Sequence, residues 1–135
     1  MNKSKRKKVF DKYNGRCAYC GCEITFDNFQ VDHVWPKIFR EDDSIDNLMP
    51  ACKECNHYKR ALDINTFRKE WLGKLHNRIK RIPKNPRSEK GRKYKAYMEV
   101  ILRKYGITEE KPFDGKFYFE KIMEEQSCER CQKKN

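Results

Sequence analysis

Two CxxC pairs, Cys17/Cys20 and Cys52/Cys55, constrain this chain most, because the 31 residues between them must loop out and return if the four sulfurs are to meet. Soft thiolates at this spacing favour a tetrahedral Zn²⁺ over hard cations, each two-residue spacer letting both sulfurs of a pair bite one ion. A structural zinc held by Cys17, Cys20, Cys52 and Cys55 is therefore expected, and losing the ion should unfold the unit it ties together. Composition agrees that burial alone is a weak support: hydrophobic residues make up 37% of the 135, charged residues 39%, and mean hydropathy is −1.10. That length suits one domain with a modest core and extensions.

The odd cysteine count of 7 fits metal ligation in a reducing compartment better than disulfides. No apolar leader segment and no stretch of transmembrane length is present, so a cytoplasmic location is expected. Cys22 is surplus. The terminal pair Cys128/Cys131 reads first as idle; a second zinc site with Cys22 or a histidine, or pairing with a second subunit, are the alternatives.

The net charge of +12 favours a polyanionic partner, and its distribution says more than its size. Residues 1–8 carry Lys3, Lys5, Arg6, Lys7 and Lys8 without an acid, whereas residues 9–58 hold five basic and nine acidic side chains. Residues 59–98 then hold fourteen Lys or Arg against Asp63, Glu70 and Glu89. Basic composition alone does not separate DNA, RNA and anionic membrane, but two basic flanks around a mildly acidic, cysteine-bearing centre fit a division in which the flanks hold phosphates and the centre does chemistry. Solvated helix faces are the plainer reading of any single lysine.

Coarse periodicity places the motifs. Residues 4–13 read as a helix, with Ser4 as its cap and Asn14-Gly15 as its stop. Residues 24–34 read as a strand interrupted near Asp27-Asn28 and ended at Pro36; a second strand spans 47–51, broken by Pro50. A helix is expected from Cys52 to about Leu62. Phe67, Trp71, Leu75 and Ile79 recur every four residues, which predicts an amphipathic helix over 65–82. After Pro83 and Pro86, a helix opens at Ser88 or Gly91 and closes at Gly106. Beyond Pro112 the pattern allows a strand over 117–119 or a helix over 119–125.

Between the cysteine pairs stand Val31-Asp32-His33-Val34 and Asp46-Asn47-Leu48, and Asn56 follows Cys55 directly. Phosphodiester hydrolysis needs a deprotonated water and a cation to absorb charge on the phosphate. Histidine is the side chain most easily kept neutral near pH 7, so His33 reads as the general base. The Asp32 carboxylate and the Asn56 amide are hard oxygen donors that suit Mg²⁺ or Mn²⁺. Neighbours on a regular strand point to opposite faces, so the backbone at Asp32-His33 is expected to be irregular. Asn47 is assigned to bracing the loop that carries His33, a plain turn asparagine being the alternative.

The order Asp-His, Asn, Asn between flanking CxxC pairs resembles the HNH endonucleases of the ββα-metal, or His-Me finger, superfamily, over about residues 15–62. The stretch from Val31 to Asn47 is also similar to the HNH domain of RNA-guided CRISPR nucleases. The resemblance implies an α+β fold: a zinc-bound ββα-metal finger core over 15–62, flanked by a basic helical arm over 1–14 and a mostly helical basic extension over 63–135. It implies DNA cleavage with His33 as base, Asp32 and Asn56 as ligands of the catalytic cation, and Asn47 as a structural member of the catalytic set. His57 departs from the more common pattern, in which a basic residue follows the metal ligand; Lys59 is expected at the solvated surface, with phosphate binding as the alternative. His76 should be inert, and Trp35 and Trp71 should pack. One site cuts one strand, so a double-strand break would require a homodimer, sequential nicks or a partner protein. The competing reading is a non-catalytic zinc-containing nucleic-acid-binding module, or an accessory subunit of a DNA-processing complex.

Overall fold

Asn2, two residues before the expected Ser4, caps helix α1 (Lys3–Asp11) by accepting the Lys5 amide at 2.8 Å. The helix gives way at Asn14 and Gly15, both with positive φ. In this computed structural model, which describes residues 1–38 and 41–133 with side chains as far as Ser127, α1 buries Val9 against Phe29 and Leu48. Arg6 is used internally: its guanidinium lies 4.0 Å from the Phe29 ring centre and donates to the Phe26 and Phe29 carbonyls at 3.0 Å. Lys12 likewise donates to the Ile45 and Leu48 carbonyls, both at 2.8 Å. Part of the N-terminal charge therefore stitches α1 to the sheet.

That sheet is a single antiparallel pair, β1 (Gln30–His33) and β2 (Leu48–Ala51), with Gln30 opposite Ala51 and His33 opposite Leu48. The expected first strand is longer than the one that forms, because residues 25–29 close a turn in which the Thr25 carbonyl accepts the Asn28 and Phe29 amides. Pro50 sits within β2 because a two-stranded sheet has a free edge where no ladder donor is needed. Its carbonyl accepts the Ala18 amide at 2.8 Å, which ties the first cysteine turn to the sheet.

Helix α2 (Lys53–Lys59) starts as the Cys52 sulfur accepts the Cys55 amide at 3.4 Å, and it ends short of Leu62 because Arg60 turns to φ 53°. Asp63 caps α3 (Ile64–Thr66), whose chain runs on through a wide turn closed by the Gly73 amide on the Arg68 carbonyl five residues back, at 2.9 Å. Lys74 leaves helical geometry before α4 (Leu75–Arg78). The helix expected over 65–82 is therefore stepped, yet Phe67, Leu72 and Leu75 still reach the core. His76, expected to be inert, is half-buried, and its Nδ1 is buried without a hydrogen bond among the described residues.

Helix α5 (Glu89–Tyr105) opens on Ser88, whose hydroxyl accepts the Gly91 amide, and closes on Gly106 at φ 64°. The tail takes its helical alternative as α6 (Tyr118–Lys133). Just before it, Phe117 is fully buried and stacks on Phe67 at 5.5 Å. The Tyr118 and Phe119 amides donate to the Tyr19 and Ala18 carbonyls. Gly21, at φ 82°, is required where Tyr118 covers this turn: a Cβ there would lie 2.8 Å from the ring. Among the described residues no helix is long and apolar enough to cross a membrane.

Candidate active site and metal centre

The turn at Cys17–Cys20 is closed by the Gly21 amide on the Cys17 carbonyl (2.9 Å) and the Cys17 amide on the Cys22 carbonyl (2.8 Å). It faces the N-terminus of α2, so that the sulfurs of Cys17, Cys20, Cys52 and Cys55 all lie within 4.8 Å of one another. A tetrahedron with metal–sulfur bonds of about 2.3 Å has edges of about 3.8 Å, and Cys20 Sγ lies 3.9 Å from Cys52 Sγ. The four thiols are too close to titrate independently. Hydrogen bonding among them holds Cys17 (first through Cys20) and Cys52 (first through Cys17) low, and pushes Cys20 and Cys55 up, both first through Cys17. Shared protons among four crowded sulfurs are what one divalent cation would replace.

The surroundings favour negative sulfur. Tyr105 donates its hydroxyl to Cys55 Sγ at 2.9 Å, and Lys104 Nζ stands 3.5 Å from Cys22 Sγ and 3.9 Å from Cys20 Sγ. Burial lowers the Lys104 pKa, but the attraction of Cys20, Cys52, Cys22 and Cys55 outweighs it, and the ammonium ends above its usual range. Cys22 stands beside the four-sulfur group without joining it. The side chains of Cys128 and Cys131 lie outside the described residues.

Asp32 projects from β1 into the protein. Its Oδ2 accepts a short hydrogen bond from the Tyr19 hydroxyl and faces Lys59 Nζ at 2.9 Å, with the two side chains 7% and 0% exposed. The same ammonium donates to the His33 carbonyl at 3.0 Å, so one cation ties α2 to both residues of the pair. Burial pushes the Asp32 carboxyl above its ordinary value, against the opposing pull of Lys59 and the Tyr19 hydrogen bond. Its Oδ1 takes no hydrogen bond among the described residues and is left for another cation. Lys59 is thus buried and paired, contrary to the solvated position expected for it.

His33 faces the other side of the strand, half-exposed, with Nε2 2.9 Å from Asp43 Oδ1. That contact holds the Asp43 carboxyl below its usual range. With Nε2–H donated to Asp43, the lone pair of Nδ1 is the basic site of the neutral ring. Backbone regularity persists through His33, whose neighbour Val34 still donates to the Asn47 carbonyl at 3.0 Å; the bend comes at Val34 and Trp35. The expected irregularity therefore falls after the Asp-His pair.

Asn47 is buried and fully engaged. Its Oδ1 accepts the Trp35 amide at 2.9 Å, and its Nδ2 donates to the Trp35 carbonyl at 3.1 Å and the Asp42 carbonyl at 2.7 Å. These bonds pin both ends of the loop that carries Asp43. Asn56 is half-buried on α2, with its amide N–H on the Cys52 carbonyl and its side chain without a hydrogen bond among the described residues. The structure therefore joins Asp32 to Lys59 and His33 to Asp43, and brings Asn56 alongside on α2 without direct contact to either pair.

Tyr19, Asp43, Lys59, Lys104 and Tyr105 escape a reading by motif. Two carried a signal: Lys59 lies three residues after Asn56, within one helical turn, and Tyr19 occupies a CxxC spacer.

Residues 17–72 match the family model for HNH endonucleases. Over 55 residues, 40% of this chain, the sequence is 36% identical to a CRISPR-associated endonuclease Cas9 from Corynebacterium diphtheriae, of which the match covers 5%. The crystal structure of the Type II-C Cas9 enzyme from Actinomyces naeslundii aligns with a TM-score of 0.44 and 21% identity, over 78% of this chain and 13% of that chain. This chain thus spans a small fraction of either relative. Residues 17–72, with their clustered cysteines and their Asp32-His33 strand, are the part of this chain that is similar to HNH endonucleases.

Proposed function

We propose that this protein is a metal-dependent DNA endonuclease in which His33 is the general base, Asp32 and Asn56 hold a catalytic Mg²⁺ or Mn²⁺, and Cys17, Cys20, Cys52 and Cys55 hold a structural Zn²⁺. The observation that carries the reading is the pairing of His33 Nε2 with Asp43, which leaves Nδ1 as the free lone pair of the ring, one residue along β1 from the Asp32 carboxylate. Asp43 fixes the ring orientation and stabilises the imidazolium that forms when Nδ1 takes a proton from the attacking water. Asn47 holds the loop bearing Asp43, so the base is oriented through two layers of hydrogen bonds. Lys59 and Tyr19 hold Asp32 Oδ2 and leave Oδ1 for a cation, while the Asn56 carbonyl oxygen offers a second hard donor. A divalent cation bound there supplies the charge that polarises the scissile phosphate and offsets the developing negative charge on the leaving oxygen. Because Asn56 directly follows Cys55, the zinc site sets the position of the helix end that carries this donor.

Supercoiled plasmid with Mg²⁺ or Mn²⁺ tests the reading. Wild-type protein should nick it, and His33→Ala, checked for retained helicity, should lose at least about a hundredfold in rate. Absence of nicking by zinc-loaded wild type, or equal nicking by the variant, would leave a zinc-containing nucleic-acid-binding module in its place.

A further inference from the structure

Residues of α2, α4 and α5, with Trp71 between α3 and α4, enclose a cavity of about 240 Å³. Its walls are Tyr58, Trp71, Tyr94 and Tyr97, its rim carries Arg60 and Arg78, and its floor is aliphatic. The volume is below that of a site for a drug-sized ligand and suits a single planar ring system. The aromatic edges are already ordered: Tyr58 meets Trp71 edge-on at 5.4 Å, and the Arg78 guanidinium lies over Trp71 at 5.3 Å. Tyr94, by contrast, stands 55% exposed at the mouth, a large apolar face open to an incoming ring.

Arg60 supplies a second, independent observation. It terminates α2 at φ 53° and ψ −137°, a backbone conformation that L residues rarely adopt, and its guanidinium has no hydrogen-bond or ion-pair partner among the described residues. A strained backbone that delivers an unpaired cation to the rim of an aromatic cavity fits a ligand with a ring and an adjoining anion. The cavity also opens within the most basic part of the chain, residues 59–98, so the anion belongs with a polyanion.

We infer that this cavity binds an unstacked nucleobase of the substrate strand, with the base against Tyr94 and Trp71 and its phosphate on Arg60. Aromatic faces combined with guanidinium groups are the recognition chemistry of single-stranded nucleic acid, since every base presents a π-face and every nucleotide a phosphate. A base within a duplex cannot enter such a cavity without leaving the stack, so the preferred substrate is single-stranded or locally opened DNA. Arg60 caps α2 four residues after Asn56, and His57, which follows Asn56 directly, also lines the cavity, so the cavity adjoins the helix that carries the proposed metal ligand. The placement beside the scissile phosphate rests on the nuclease reading; the affinity for a base does not.

The test therefore measures binding without cleavage. Zinc-loaded protein in magnesium-free buffer is titrated, by fluorescence anisotropy, into a labelled oligothymidylate of about 12 nucleotides and into an abasic strand with the same number of phosphates. Wild type should bind the thymidylate roughly five- to a hundredfold more tightly than the abasic strand. Tyr94→Ala, an exposed position whose loss leaves the core intact, should erase most of that difference while leaving abasic affinity unchanged. Equal affinity of wild type for the two strands, or an undiminished preference in Tyr94→Ala, would overturn the inference. His33→Ala should keep the preference, so failure of the base site and failure of the nuclease reading are separately visible.

Discussion

Replacing Lys59 with methionine keeps most of the apolar stem of the side chain and removes its ammonium, and with it the charge and the hydrogen-bond donors. In the native protein the ammonium is fully buried, 2.9 Å from Asp32 Oδ2 and 3.0 Å from the His33 carbonyl. Its removal strands a carboxylate that is 7% exposed, with the Tyr19 hydroxyl as its one remaining hydrogen-bond donor among the described residues. Breaking a buried pair by deleting one partner costs about 3–5 kcal/mol, mostly because the surviving charge is left uncompensated. For a chain of this size about 1 kcal/mol moves the melting point by about 4 °C, so Lys59→Met should melt about 12–20 °C lower. The assay is thermal unfolding followed by circular dichroism, with zinc saturating and magnesium absent so that no second cation compensates Asp32. The double variant Lys59→Met/Asp32→Asn separates pairing from packing: with no charge left to bury, it should recover at least about 2 kcal/mol relative to the sum of the two single variants. A Lys59→Met protein that melts within about 3 °C of wild type, or strictly additive single and double variants, would refute the reasoning.

Stripping zinc with a chelator should abolish most of the helical signal, and Zn²⁺ but not Mg²⁺ should restore it; unchanged dichroism in protein shown by metal analysis to be zinc-free would contradict the proposed support. Asn47→Ala leaves the Trp35 amide and two carbonyls without partners and should cost about 3 kcal/mol, with hydrogen exchange at the Trp35 amide accelerating before global unfolding. Asp63 is held below its ordinary value of 3.8, first by the Thr66 hydroxyl and then by the Thr66 and Asn65 amides at the start of α3. A depressed folded value means that its contribution is complete above the ordinary value and disappears as pH falls through the folded one. Asp63→Ala should therefore destabilise by about 1 kcal/mol at neutral pH, and by less once the wild-type carboxyl is protonated.

The cysteine cluster was legible in the sequence because CxxC spacing fixes sulfur geometry almost without regard to what lies between the pairs. Helices with strong end signals were legible too: Ser88 and Gly106 bracket α5 as capping chemistry dictates. Strand length was less so, since β-branched composition over 24–34 cannot disclose that Thr25 accepts two local amides and delays the strand until Gln30. Periodicity over 65–82 identified the buried face but not the wide turn at Phe67–Leu72, because Phe67, Leu72 and Leu75 stay on one side whether the helix is straight or stepped. Lys59 carried only a positional signal, one helical turn after Asn56: a lysine in a basic stretch reads as solvated, and the meeting of α2 with β1 reveals the carboxylate opposite. Tyr105 and Lys104 lie some fifty residues and more from the sulfurs they approach, beyond the reach of any local pattern.

These contacts together make α2 the element through which every site communicates. Its first turn carries Cys55, to which Tyr105 donates, and its last two residues are Tyr58, buried against Trp71, and Lys59, on Asp32. With only seven residues, α2 has too few hydrogen bonds to hold its own axis in water, so its orientation is inherited from these attachments. A metal held by the cysteines at one end, as proposed, and the Lys59–Asp32 pair at the other would then act as two clamps on one short rod. Loosening either should be felt at the other: Tyr105→Phe, which removes the donor to Cys55 without touching Asp32, should weaken zinc retention and also soften the packing around Lys59. If the amides of β1 exchange no faster in that variant while zinc leaves more readily, the two clamps are mechanically independent and the rod picture is wrong.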